Sequence, residues 1–235
     1  MEGVLYFQSF GVFIANYLNN PCDIFIAYKG NESMNSIRHW VLSLGVMAWV
    51  GLVGEEPSEL VDIQTFVPTI QVELKYATPD NFTGQIVYDF DHCFLVKEAA
   101  LLLREAQEEL EAVGLGLKVW DGYRPMAAQW KFWELVPDER YVSDPRKGGR
   151  HTRGTAVDLT LVGPDGEELM MPSLFDDFSE QAHRNYMGGT DEAISNRELL
   201  QEVMERHGFS GLPTEWWHFD LIGWENFPPM DLVLQ

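Results

Sequence analysis

Residues 155–162 read Thr-Ala-Val-Asp-Leu-Thr-Leu-Val, and this stretch decides the fold. The apolar side chains of Val157, Leu159 and Leu161 alternate with Asp158 and Thr160, which predicts a β-strand with one apolar face. A carboxylate inside such a strand is partly removed from water, so it needs a cation or hydrogen-bond donors beside it. Asp158 is therefore either a ligand of a functional site or one half of a structural ion pair.

Two histidines lie in segments that could reach Asp158. His151 precedes the strand, across the glycine at position 154 that lets the chain turn, and His218 follows in the segment Glu215-Trp216-Trp217-His218. Two imidazoles and one carboxylate form the ligand set of a catalytic zinc site whose fourth position is left for water. We predict one Zn²⁺ per chain at His151, Asp158 and His218, which would lower the pKa of that water to about 7. The alternative is that Asp158 pairs with Arg153.

Two further residues suit hydrolysis at such a site. Glu215 stands three residues before His218. Because residues i and i+3 of a regular strand face opposite sides, we expect Glu215 in irregular backbone before the strand, where it would act as the general base. Arg124 stands between the Asp121-Gly122 turn and Pro125, where a fixed guanidinium could stabilise an oxyanion. The structural alternative for Glu215 is a surface acid.

Periodicity along the chain predicts an α+β fold, in one domain with a small, mainly antiparallel sheet flanked by helices. The predicted strands are 66–76, 117–120, 155–162 and 217–222, and the predicted helices are 96–113, 125–135, 179–186 and 196–207. The remaining histidines are assigned structural roles: His39, His92, His183 and His207.

Composition excludes several functional classes. Asp and Glu number 37 against 16 Lys and Arg in 235 residues, which gives a formal net charge of -21. Such a surface repels phosphate backbones and anionic lipids, so we expect no nucleic-acid partner. Two cysteines, Cys22 and Cys93, are too few for a thiolate metal cluster or a network of disulfides.

The first 54 residues differ from the rest. Residues 34–39 are weakly basic, residues 40–54 are a short apolar stretch, and Glu55-Glu56-Pro57-Ser58 follows. This order predicts a signal peptide at 34–54, preceded by an unassigned extension at 1–33 and followed by a catalytic domain at 55–235. We expect export to the periplasm or the extracellular space without a stable membrane anchor, or a cytoplasmic protein if the apolar stretch is not a signal.

Several ordered motifs together carry a family resemblance. They are Trp120-Asp121-Gly122-Tyr123-Arg124-Pro125, the stretch 151–161 and the stretch 215–218, with additional matches at 75–84 and 175–183. These segments resemble the VanX-type D-alanyl-D-alanine dipeptidases, which belong to a wider zinc peptidase group with D,D-carboxypeptidases and the Hedgehog signalling domain. The resemblance implies the same zinc ligands, Glu215 as base and then acid, and Arg124 as transition-state stabiliser.

The resemblance also implies substrate-binding residues. An aspartate after a phenylalanine holds the free amino group of the dipeptide, which best matches Asp176, with Asp177 as the neighbouring choice, and Tyr76 lines the pocket. Two positions depart from the family pattern. Gly149 replaces a serine that commonly stands two residues before the first histidine ligand, and Pro172-Ser173 replaces a Gly-Thr pair.

The expected function is zinc-dependent hydrolysis of the D-alanyl-D-alanine dipeptide in cell-wall peptide metabolism. One alternative is a D,D-carboxypeptidase or endopeptidase on peptidoglycan peptides, which would need an open cleft in place of the ammonium pocket. Another is a non-catalytic zinc-binding module, although such a module would need neither Glu215 nor Arg124. The weakest alternative is a metal-free acidic domain.

Overall fold

The computed structural model describes residues 12–15, 25–28, 59–232 and 234. The chain divides into two compact units, residues 1–52 and 53–235. In the first unit, strand β1 (Val12–Ala15) pairs antiparallel with β2 (Phe25–Tyr28), two strands that the sequence did not predict. The predicted signal peptide at 34–54 lies outside the described residues.

The second unit is built on two sheets. The smaller one pairs β3 (Leu60–Asp62) antiparallel with β5 (Phe94–Val96). The larger sheet has five strands: β4 (Gln71–Val72), β6 (Gly116–Asp121), β7 (Ala156–Val162), β8 (Phe209–Leu212) and β9 (Glu215–Leu221). Their order in the sheet is β4-β6-β7-β9-β8, and only the β4–β6 pair is parallel. This arrangement confirms the predicted α+β class and the mainly antiparallel sheet.

Strand β7 lies in the middle of the larger sheet, and all its residues are buried. Helices α2 (Lys97–Glu111) and α4 (Asp191–Arg206) contact each other and cover one face: α2 packs against β6, and α4 packs against β7, β8 and β9. The face that carries Asp158 borders a cavity lined by the aromatic side chains of Tyr76, Phe82 and Phe132. The polar residues of β7 therefore lie in the protein interior, where Asp158 is 3% exposed, so its charge must be balanced by protein groups or a bound cation.

The three long helices follow the predicted pattern with one shift. Helix α2 buries a face that includes Ala99, Leu103 and Leu110, and α3 (Met126–Leu135) begins directly after Pro125. Helix α4 begins five residues before the predicted Asn196, because the Thr190 hydroxyl caps it by accepting a hydrogen bond from the Ala193 amide at 3.1 Å. The Asn196 side chain instead donates to the Met170 carbonyl at 3.0 Å.

Two predicted elements are wrong. The proposed strand at 66–76 is divided into helix α1 (Ile63–Phe66), the short β4 and a 3-10 turn at Lys75–Ala77. Alternating burial persists through this segment, with Ile70, Leu74 and Tyr76 buried, but the chain turns instead of staying extended. The proposed helix at 179–186 is reduced to the 3-10 turn Glu180–Ala182. Segment 179–186 is too short to form a stable helix without tertiary contacts.

Within the described residues, no helix is long and apolar enough to cross a membrane.

The close approach of β5 to the end of β6 generates a prediction about stability. A Cβ at Gly122 would lie 2.6 Å from the Cys93 Sγ and 2.8 Å from the Phe94 carbonyl oxygen, and that oxygen is fixed by the Tyr123 amide. We expect Gly122→Ala to lower the free energy of unfolding by about 1–3 kcal/mol, measured by urea denaturation.

Gly189→Ala is the matched control, because the nearest atom to its new Cβ would be 3.6 Å away. Its unfolding free energy should stay within about 0.5 kcal/mol of the wild type. Equal stability of the two variants would contradict the proposed steric constraint at Gly122.

Candidate active site

Three predicted ligand residues converge at the centre of the larger sheet. Asp158 and His218 are direct cross-strand partners of β7 and β9, and the Asp158 Oδ1 lies 2.9 Å from the His218 Nδ1. His151 comes from a 3-10 turn that ends at Gly154 in the left-handed conformation (φ 67°). Its Nε2 lies 3.2 Å from the His218 Nδ1 and 3.4 Å from the Asp158 Oδ2. One potential ligand atom from each residue lies within 4.8 Å of the others, and all three residues are buried.

The second nitrogen of each imidazole is already occupied. The His151 Nδ1 lies 2.8 Å from the Gly122 carbonyl oxygen, and the His218 Nε2 lies 2.9 Å from the Asp220 Oδ1. These acceptors favour tautomers that leave the His151 Nε2 and the His218 Nδ1 facing Asp158 with free lone pairs. Two imidazole nitrogens and a carboxylate oxygen form a donor set that fits Zn²⁺.

The ionisable side chains at this centre have strongly shifted pKa values. Burial opposes ionisation of His218, but Asp220 and Asp158 outweigh it and raise the pKa of His218 to about 10. Burial likewise opposes ionisation of Asp158, yet the neighbouring His151 and His218 hold its pKa well below the usual range. Arg150 supports this centre from outside, with its Nε 3.0 Å from the Asp220 Oδ2. Asp158 is therefore ionised in the protein interior, where a bound cation would stabilise its charge.

Glu215 lies at the edge of this group. Its Oε2 is 3.9 Å from the His218 Nδ1. The prediction that Glu215 precedes the strand is wrong, because it is the first residue of β9. The pairing with β8 is irregular here, since Gly211 pairs with Phe219 while Leu212 pairs with Glu215, and this register shift replaces the expected loop. Burial raises the pKa of Glu215 to about 8, although His218 opposes the shift.

Arg124 is locked beside the same centre. Its Nε and Nη2 donate to the Asp121 Oδ2 at 3.1 and 2.6 Å, and its Nη1 donates to the Gln129 Oε1 at 3.1 Å. The Nη2 lies 3.9 Å from the Asp158 Oδ2. Burial would lower the pKa of Arg124, but Asp121 raises it well above the ordinary value. A guanidinium held in this way is a fixed positive charge, which suits the stabilisation of a developing oxyanion.

Asp176 and Tyr76 form a separate pair. The Tyr76 hydroxyl donates to the Asp176 Oδ1 at 2.9 Å, and the Phe82 amide donates to the Oδ2 at 3.3 Å. Burial raises the pKa of Asp176 to about 7. Asp177, the neighbouring choice, instead accepts a hydrogen bond from the Ser179 amide at 2.8 Å and lies outside the catalytic cavity. The geometry therefore favours Asp176 over Asp177 as the residue that faces a substrate.

A cavity of about 40 Å³ connects these groups. Its lining contains every site residue predicted from the sequence: Tyr76, Arg124, His151, Asp158, Asp176, Glu215 and His218. Segment 139–143 also contributes to the wall. A larger cavity of about 880 Å³ is separate but shares Phe82 and Asp176 with the catalytic cavity. Asp176 thus stands in the wall between the two spaces.

Sequence reasoning missed several supporting residues. Asp220 stands two positions after His218 on the same strand, so the period of two could have placed both on one face. Asp121 at the end of β6 carried a similar signal, since it directly precedes the turn that leads to Arg124. Gln129 and Tyr88, which donates to Asp121 at 2.7 Å, gave no signal in the sequence.

The chain is similar to known proteins over most of its length. Residues 56–228 match the profile of the family Peptidase_M15, described as D-ala-D-ala dipeptidase. The D-alanyl-D-alanine dipeptidase of Escherichia coli (strain K12) is 39% identical over 173 residues, which cover 74% of this chain and 90% of that relative. The enzyme of the same name from Enterococcus faecalis is 37% identical over 180 residues, which cover 68% of this chain and 89% of the relative.

Among solved structures, VanYB in complex with D-Alanine-D-Alanine is 16% identical and covers 62% of this chain and 86% of its own, with a TM-score of 0.38 that is too low to support an argument. The segment matched by the family profile, residues 56–228, contains every candidate site residue. The chain belongs to the Peptidase_M15 family of D-Ala-D-Ala dipeptidases.

Proposed function

We propose that this protein hydrolyses the D-alanyl-D-alanine dipeptide with one Zn²⁺ held by His151, Asp158 and His218. The observation that carries the proposal is the convergence of their three ligand atoms within 4.8 Å, in a cavity that also contains Glu215 and Arg124. A bound zinc ion would supply Lewis-acid polarisation of the scissile carbonyl and would lower the pKa of the attacking water.

Glu215 acts first as the general base of the reaction and then as its general acid. Its carboxylate accepts a proton from the attacking water and then delivers it to the leaving amine. Burial raises its pKa to about 8, which brings the group near the pH at which it must both accept and release a proton. Arg124 stabilises the negative charge that develops on the carbonyl oxygen, because its three hydrogen bonds to Asp121 and Gln129 fix its position.

Asp176 selects the substrate. Its carboxylate would pair with the ammonium of a free dipeptide, at the boundary of the small cavity. A longer peptide presents an amide nitrogen there, which leaves the buried carboxylate without a counter-charge. The buried acid in the cavity wall therefore favours a dipeptide.

The second candidate is a D,D-carboxypeptidase. One observation favours it: the larger cavity of about 880 Å³ begins on the other side of Asp176 and could hold the preceding residues of a longer peptide. Such a substrate would require Asp176 and Phe82 to move apart. Comparison of the dipeptide with a cell-wall pentapeptide therefore belongs in the first assay.

We further propose that the protein is exported through a signal peptide at residues 34–54 and that the catalytic domain spans 55–235. The weakly basic start, the apolar stretch and the polar exit in the sequence support the proposal. N-terminal sequencing of the protein from its native host should give a first residue near position 55. An intact N-terminus in a cytoplasmic fraction would contradict export.

The central test is the role of Glu215. Purified protein should contain about one zinc per chain and release D-alanine from D-alanyl-D-alanine. Glu215→Gln should keep the zinc and lower kcat by about 10²- to 10⁴-fold, because the proton acceptor is lost. Metal analysis and a D-alanine release assay measure both.

Glu139→Gln is the matched control, since Glu139 lines the same cavity but pairs with Lys147 at 2.6 Å. Its kcat should stay near that of the wild type. A folded, zinc-loaded Glu215→Gln protein with an unchanged rate would refute the general base. Wild-type activity on the pentapeptide alone would replace the dipeptidase with the carboxypeptidase.

The raised pKa of Asp176 predicts a pH dependence of substrate binding. Above about pH 7 the carboxyl is ionised and pairs with the ammonium, whereas below this pH it is protonated and the pairing is lost. The KM for the dipeptide should therefore rise as the pH falls through about 7. Asp176→Asn should raise KM about 10- to 100-fold at pH 8 and flatten this dependence.

Asp177→Asn serves as the control, because Asp177 does not line the catalytic cavity and the new amide oxygen can still accept from the Ser179 amide. KM measured across pH 5.5–8.5 for the three proteins checks the prediction. An identical pH profile for wild type and Asp176→Asn would show that another group controls substrate binding.

A further inference from the structure

Ser143 occupies an unusual position beside the catalytic cavity. A Cβ added at Gly149 would lie 3.2 Å from the Ser143 Cβ and 3.5 Å from its Oγ. The Ser143 side chain therefore fills the space that a side chain at position 149 would enter. Ser143 lines the cavity, and Gly149 is buried behind it. The hydroxyl group in this part of the cavity wall therefore comes from residue 143 and not from residue 149.

The backbone of Ser143 is fixed by the machinery of the site. Its carbonyl oxygen accepts a hydrogen bond from the Gln129 Nε2 at 2.7 Å, and the Gln129 Oε1 accepts one from the Arg124 Nη1 at 3.1 Å. The Ser143 hydroxyl takes no part in these hydrogen bonds. Within residues 59–232 it makes no side-chain hydrogen bond, so it can donate to a ligand in the cavity.

The polar groups of the cavity form an ordered series of contacts. Asp176 accepts from the Tyr76 hydroxyl, and the Tyr76 ring lies 5.4 Å from the guanidinium carbon of Arg124. From Arg124 the series continues through Gln129 to Ser143. Arg124 is also the member next to the metal-binding group, 3.9 Å from Asp158. Asp176 and Ser143 are therefore the two ends of this series of contacts, and Arg124 is in its middle.

A free dipeptide has a matching order of groups. Its ammonium and its carboxylate are separated by the scissile amide, so an ammonium at Asp176 and an amide at Arg124 direct the carboxylate towards Ser143. Arg150, the neighbour of Gly149, also lines the cavity, and its guanidinium is paired with Asp220 at 3.0 Å. A serine hydroxyl is a suitable donor to a carboxylate, and such a charge-assisted hydrogen bond is stronger than a neutral one.

We propose that Ser143 binds the C-terminal carboxylate of the dipeptide and restricts the enzyme to substrates with a free carboxyl end. This inference rests on the proposed function and adds a specificity-determining residue to it. A peptide that is amidated or extended at the C-terminus offers a weaker acceptor at this point, so the enzyme discriminates against it.

The test compares D-alanyl-D-alanine with its C-terminal amide. Ser143→Ala should raise the KM for the dipeptide about 10- to 100-fold, with a smaller effect on kcat, and should leave the KM for the amide nearly unchanged. The ratio of the KM for the amide to the KM for the free acid should therefore be much smaller in Ser143→Ala than in the wild type. A uniform loss on both substrates would indicate a structural role and would overturn the proposal.

A relocated hydroxyl provides a second, sharper variant. The double substitution Ser143→Gly with Gly149→Ser removes the Cβ that would crowd position 149 and returns a hydroxyl to the same space. Gly149 does not have a positive φ, so a serine is compatible with its backbone. The double variant should recover most of the acid preference that the single Ser143→Gly variant loses. Failure to recover it in a folded protein would contradict the inference.

Binding measurements separate this inference from the proposed activity. In a Glu215→Gln background, calorimetry should show tighter binding of D-alanyl-D-alanine than of its amide, and Ser143→Ala should abolish the difference. Wild-type turnover together with an unaffected acid preference in the Ser143→Ala variant would overturn the inference and leave the dipeptidase intact. Acid-selective, Ser143-dependent binding without turnover would support the inference and refute the proposed hydrolysis.

Discussion

Asp158 and His218 face each other across the two central strands of the sheet, and the rest of the structure is arranged around this buried pair. The Oδ1 and the Nδ1 are 2.9 Å apart, and each residue is at most 5% exposed. Removing such charges from water costs several kcal/mol per ion unless partners replace the solvent. His151, Arg124 and Asp220 are those partners, and each comes from a different turn or strand end. The fold can therefore be understood as a scaffold that surrounds one carboxylate with cations and donors.

Each partner is itself held by an outer layer. Arg124 is fixed by Asp121 and Gln129, while Asp220 is paired with Arg150, whose guanidinium stacks over the Trp224 ring at 5.1 Å. These contacts give the reacting groups little freedom, so less reorganisation is needed when charge develops during the reaction. The function of the enzyme thus depends on residues that never touch the substrate.

The sequence predicted which residues converge at the site better than it predicted the backbone around them. Residue types, their order and the family resemblance together selected His151, Asp158 and His218, whose ligand atoms lie within 4.8 Å of one another. Irregular backbone was harder to predict. The register shift that brings Glu215 beside His218, and the turns that replace the expected strand near Tyr76, depend on tertiary pairing that local periodicity does not encode. Ser143 could not be found from its own segment, since its position follows from the absence of a side chain at Gly149.

The buried ligand residues tie folding to metal supply. His151, Asp158 and His218 come from separate segments of the chain and converge only when it folds, so the cation that they would hold binds the folded state. A cation that binds only the folded chain adds about 1.4 kcal/mol of stability for each tenfold excess of its concentration over its dissociation constant. A host starved of that cation would therefore lose the protein itself through faster unfolding and proteolysis, as well as its catalytic activity.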